Sequence, residues 1–156
     1  MRILTKGKTR KLCRKELRYA ARYMASLIMS KQLLKHVSIH IKCTPTIMEN
    51  GNELKAYMSP LGKKPLRRFE VVIATSKSKR EQLLALAHEL VHCKQFAKGE
   101  MTENVKGIVK WKRETIDQKK VTYFWLPWEL ESFGYEKALY YSYKDHLEDK
   151  GIKWGR

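Results

Sequence analysis

The sequence predicts an α+β fold in a single domain spanning residues 1–156, and three observations predict it. The hydrophobic period changes from helical over residues 10–35 to alternating over residues 37–43. An unbroken apolar run, Val71-Val72-Ile73, reads as a strand buried on both faces. Residues 79–98 then carry both the start and the stop signals of a helix. A chain of 156 residues is one domain's worth. Its 43% hydrophobic content, with 8 Gly and 4 Pro, supplies a core and excludes disordered and low-complexity classes.

Taken in order, Cys13, Leu17, Ala20, Met24, Leu27, Ile28 and Leu34 recur at steps of three and four and make one apolar stripe. Arg10, Arg14, Arg18 and Arg22 repeat every four residues and make a basic stripe beside it. Val37, Ile39, Ile41 and Cys43 alternate with His36, Ser38, His40 and Lys42, as in a half-buried strand that stops before Pro45. Asn50-Gly51 supplies the two positive-φ positions of a tight hairpin turn, flanked by residues 47–49 and 53–58. Residues 59–65 read as a loop and residues 69–75 as the buried strand. Ser78-Lys79-Arg80-Glu81 fits a capping box, and Gly99 sits where a left-handed C-terminal residue belongs. Residues 108–116 and 121–125 read as two extended pieces joined by a polar link. Pro127 then opens a final helix to about His146, and the polar residues 148–156 fray.

Apolar stretches are interrupted by charge too often for a spanning helix, so no membrane segment is expected. The basic start is followed by more Lys and Arg where a signal peptide needs an apolar stretch, which argues against export. Cys13, Cys43 and Cys93 are odd in number and widely spaced, with no CxxC pair. They fit free thiols in a reducing compartment, and a cytoplasmic location is expected.

The chemistry lies within the capped helix, in Ala87-His88-Glu89-Leu90-Val91-His92, a match to HExxH. His88 and His92 stand one turn apart on one face and can share a metal ion. Glu89 lies one residue round, placed to act on water rather than to bind the ion. Zinc in such a site lowers the pKa of water to about 7 and polarises a carbonyl, and a nearby carboxylate moves the proton to the leaving amine. The surrounding residues, Leu83, Leu86, Ala87, Leu90 and Val91 among them, are apolar, where unpaired histidines would be costly to bury.

A third protein ligand is needed. The metzincin extension would put Gly at position 95 and His at position 98; Gln95 and Lys98 stand there and exclude it. The remaining candidates are His146 and the glutamates of the final helix, Glu129, Glu131 and Glu136. Glu131 shares a face with Gly134, Tyr135 and Ala138, whose two small members would let the helices approach closely. Glu131 is therefore the expected ligand. Glu129, on the face of Ser132, Phe133 and Glu136, is the alternative.

The segments Leu86-Ala87-His88-Glu89-Leu90-Val91-His92 and Leu126-Pro127-Trp128-Glu129-Leu130-Glu131-Ser132 together resemble gluzincin-type zinc metallopeptidases, specifically the small metallopeptidases encoded by bacteriophages. The resemblance covers roughly residues 69–140. In that family a PWExEA segment follows the HExxH helix, and its second glutamate falls on Glu131, with Ser132 in place of Ala. The resemblance implies a compact, zincin-like, minimal gluzincin core: an N-terminal helix, a small twisted mixed sheet, the HExxH helix and a C-terminal helix giving the third ligand. It implies a zinc-dependent peptidase acting on a protein or peptide, in the host cytoplasm if phage-encoded.

Tyr123, Tyr135 and His146 are candidates for stabilising an oxyanion, in no order. His36 and His40 read as solvent-facing, and Cys93 as a packed thiol. The balance of 33 Lys+Arg against 16 Asp+Glu, a net +17, gives the rival reading. Arg10, Arg14, Arg18 and Arg22 could track a phosphate backbone, making the chain a non-catalytic nucleic-acid-binding protein or a DNA-associated protease analogous to the SprT-like enzymes. Those enzymes usually take histidine as third ligand, and no histidine lies near His92 here.

Overall fold

A computed structural model describes residues 1–9, 11–103 and 107–152, and these form a mixed α+β fold. Strand β1 (Arg2–Gly7) leads into helix α1 (Arg14–Ile28) and the short helix α2 (Lys31–His36). Strand β2 (Ser38–Thr44), the hairpin β3 (Ile47–Glu49) and β4 (Asn52–Leu54), and strands β5 (Ala56–Leu61) and β6 (Arg68–Ala74) follow. Helix α3 (Lys79–Lys98) precedes a small sheet of β7 (Met101–Glu103), β8 (Ile108–Trp111) and β9 (Glu114–Asp117). Two single turns of 3-10 helix, Gln118–Lys120 and Tyr123–Trp125, connect it to helix α4 (Pro127–Asp149).

The main sheet runs β1-β2-β6-β5, with β1, β2 and β6 mutually parallel and β5 antiparallel on the edge. Parallel neighbours need a crossover, which α1 and α2 supply between β1 and β2. The unbroken apolar run of β6 has a simple cause. Phe69, Val71 and Ile73 face the helices in the main core, while Val72 and Ala74 face the other way and are covered by Ile47 and Leu54 of the hairpin. Asn50 and Gly51 take the positive φ values of 48° and 80° that the tight turn requires.

The long expected N-terminal helix is two helices. Ser30 takes the Leu33 amide on its hydroxyl and starts α2, so α1 ends at Ile28. Cys13 is not on the core face: it caps α1, its sulfur accepting the Glu16 amide, and Leu27 is exposed. The basic segment before it is also a strand, β1, in which Ile3 alone is buried and the alternation is masked by charge. Position 7 must be glycine. Its φ is 93°, and a Cβ there would collide with the Cys43 carbonyl across the sheet.

Two further expectations change. The loop over residues 59–65 starts later, because β5 runs on to Leu61; Pro60 is tolerated since the strand is at an edge. Residues 108–116 turn at Lys112, whose φ is 53°, and residues 121–125 close into a 3-10 turn instead of extending. The final helix begins at Pro127, as expected, and continues to Asp149. No helix among the described residues is long and apolar enough to cross a membrane.

Helix α3 has the expected bounds and both expected caps. Ser78 Oγ accepts the Glu81 amide at 3.2 Å, Glu81 Oε2 accepts the Ser78 amide at 3.1 Å, and Gly99 is left-handed. The helix packs against β5, β6, α1 and α4, and Leu83, Leu86, Ala87, Leu90 and Val91 are fully buried. A second apolar cluster of Met101, Val109, Trp111, Leu126 and Trp128 ties the small sheet to the start of α4. Replacing Ser78 by Ala should cost about 1 kcal/mol of stability in urea denaturation; an unchanged midpoint would show that the box does not hold this helix.

Candidate metal centre

His88 and His92 project from one face of α3, and their Nε2 atoms stand 3.1 Å apart. Glu129, in the first turn of α4, meets them from the facing helix. Its Oε2 lies 3.2 Å from His88 Nε2 and its Oε1 3.5 Å from His92 Nε2. These ligand atoms lie within 4.8 Å of one another, and the three residues can hold a metal ion. Ligands about 2.0–2.1 Å from a tetrahedral zinc stand roughly 3.3–3.4 Å apart, which matches the separations found.

The other ring nitrogens are occupied, which aims both Nε2 atoms at Glu129. His92 Nδ1 donates to Gln95 Oε1 at 2.8 Å. Glu136 Oε2 lies 3.3 Å from His88 Nδ1. Such outer partners hold a histidine's tautomer and ring plane ready for a metal. Gln95 is itself fixed, its amide nitrogen donating to the Trp128 carbonyl at 3.0 Å and to Glu131 Oε2 at 2.9 Å.

Electrostatics separate the two buried carboxylates. Burial would raise the Glu129 carboxyl, but hydrogen bonds from His88 and His92, the His92 charge and the Tyr123 hydroxyl bring it down to about 2. It stays ionised. Glu89 is pushed above the usual carboxylate range by burial, against the pull of His92 and His88. Burial disfavours a charged His92, yet Glu129 and Glu89 outweigh it and raise that imidazole. Tyr123 donates to Glu129 Oε2 at 2.8 Å, and burial together with that carboxylate raises its phenol, so it keeps its proton.

Glu131, the expected third ligand, is corrected by this geometry: Glu129 stands at the histidines instead. Ser132, fully buried, provides the close approach between the helices, while Gly134 and Ala138 face solvent. That rotation of α4 carries Glu129 and Glu136 to His88. Glu131 turns to Lys94 Nζ at 2.9 Å and to Gln95, so it acts on the site one layer out. Tyr123 joins the site; Tyr135 lies under Lys94, and His146 stacks on Tyr23 with ring centroids 4.1 Å apart. Cys93 is fully buried, as expected of a packed thiol.

In the basic stripe, Arg14 donates to the Gly7 carbonyl and Arg18 to Thr5 Oγ1, tying α1 to β1. Arg22 is exposed, and Arg10 lies outside the described residues.

The site floors a cleft of about 400 Å³. Edge strand β5 forms one wall with Ala56, Tyr57, Met58 and Pro60, and Glu49 and Glu103 also line it. None of these was singled out from sequence, since nothing local marks them. Comparison with protein-family models, curated proteins and solved structures finds no match to this chain. The chemistry is read from the site's own geometry.

Zinc affinity, measured by competition with a chelating dye, should fall about a hundredfold or more in Glu129→Ala and about tenfold in Glu131→Ala. The reverse order would return the ligand to Glu131.

Proposed function

We propose that this chain is a zinc-dependent peptidase with a minimal, zincin-like core, in which His88, His92 and Glu129 hold the ion and Glu89 is the general base. The observation that carries this reading is the convergence of three ligand side chains beside a buried carboxylate that has no hydrogen-bond or ion-pair partner among the described residues, at the floor of an open cleft. A bound zinc ion supplies a Lewis acid that polarises a carbonyl and acidifies water.

The chain's own residues supply the rest. Glu89 takes the proton from the attacking water and passes it to the departing amine. A carboxyl raised by burial is suited to both transfers, because a base works best with its pKa near the working pH. Glu129 is held ionised by the hydrogen bonds it accepts, the form in which a carboxylate binds a metal ion. Tyr123 keeps its proton and donates a hydrogen bond to Glu129 Oε2, which holds that carboxylate in place at the cleft. Strand β5 is the outer strand of its sheet and lines the cleft, so an extended peptide can pair along its open edge and lie across the site.

Replacing Glu89 by Gln tests the assignment because it keeps shape and removes the base. Zinc content should be retained while hydrolysis of an unstructured protein such as casein falls by about 10²–10⁴. Hydrolysis at the original rate would exclude Glu89 as the base.

A further inference from the structure

The chain carries 33 Lys and Arg, yet among the described residues none lines the cleft. Four glutamates do: Glu49, Glu89, Glu103 and Glu129. With a dication on the triad, Glu129 and Glu89 balance its charge, and Glu49 and Glu103 remain in surplus. Both are exposed, Glu49 on β3 and Glu103 on β7. Neither has an ion-pair partner among the described residues, whereas Glu16, Glu53, Glu70, Glu81, Glu100 and Glu131 each meet a lysine.

Glu89 lines the same cleft. It is 8% exposed and has no hydrogen-bond or ion-pair partner among the described residues. The same cleft is also lined by apolar, adaptable side chains, Leu54, Met58, Phe96 and Met101. A lysine or arginine is matched to such a surface, since its aliphatic stem packs on apolar groups while its head reaches a carboxylate at the rim. Those exposed basic groups that stand more than about 8 Å from the cleft are largely screened from it at physiological salt.

We propose that the cleft selects a cationic peptide segment, one with Lys or Arg beside the bond to be cut, and that Glu49 and Glu103 determine this specificity. The inference rests on the peptidase reading for the cutting step, while recognition can be measured without it. Acidic and neutral segments are disfavoured: an acidic side chain meets two uncompensated carboxylates, and a neutral one leaves them unpaired.

Two fluorescent peptides of equal length test this, identical except for Lys or Gln on either side of the central bond. Binding is read by fluorescence anisotropy on zinc-loaded Glu89→Gln protein at about 0.15 M salt. The Lys peptide should bind about three- to tenfold more tightly than the Gln peptide, the range two exposed charge pairs supply. Adding Glu49→Gln and Glu103→Gln should bring the ratio close to one. Equal binding of the two peptides, or a preference that survives the double change, overturns the proposal. Zinc-loaded protein with Glu89 intact separates the two readings. If it cuts neither peptide although the Lys preference in binding holds and depends on Glu49 and Glu103, the peptidase reading fails and the cationic selectivity stands. If it cuts both with the same kcat/KM, the peptidase reading stands and the selectivity fails.

Discussion

Gln95 is wholly buried between α3 and α4, and the geometry of the site depends on how its amide is satisfied. A buried amide must place its donors and its acceptor against partners or lose far more than a hydrogen bond is worth. Here the oxygen accepts from His92, and the nitrogen donates to the Trp128 carbonyl and to Glu131. One end therefore orients a histidine on α3, and the other holds the first turn of α4. Glu129 follows Trp128 directly and is carried to the histidines by that joint. Position 95 also rules out the metzincin pattern. The residue that excludes one metal-binding pattern is the one that organises this cluster.

Around this joint the charges are sorted by depth. Lys94 is buried, and its pairing with Glu131 and Glu100 outweighs burial and raises its pKa, so it stays charged at the back of the helix pair. The front of the helix pair presents two imidazoles and two carboxylates to the cleft, Glu89 from α3 and Glu129 from α4. Among the described residues no lysine or arginine lines the cleft, and elements such as α1 and β1 carry much of the basic charge elsewhere. A protein with net charge +17 can hold a local acidic pocket because screened surface charges act over short distances.

Much of this was legible in the sequence where local chemistry decides structure. The capping box at Ser78, Gly99 at the end of the helix, the Asn50-Gly51 turn and Pro127 at the start of α4 are all local signals, and all four stand as read. The histidine pair was legible for the same reason. What was not legible depends on distant partners. Strand β1 owes its existence to pairing with β2, and its own residues look like a basic tail. The rotation of α4 is set by Gln95 and Ser132, so counting small residues chose the face of Gly134 and Ala138 and hence Glu131. A run of polar and aromatic residues at helical spacing, Glu129, Ser132, Phe133 and Glu136, did carry the correct face. Phe133 packs edge-on against His88 at 4.7 Å, completing it.

The central claim is that His88, His92 and Glu129 hold a zinc ion. Elemental analysis of the purified protein, measured beside His92→Ala after identical dialysis, tests it most directly. The account predicts about one zinc per chain in the parent protein and almost none in the variant. A parent protein that takes up no zinc even after incubation with it, or a variant that retains the full amount, would contradict the assignment.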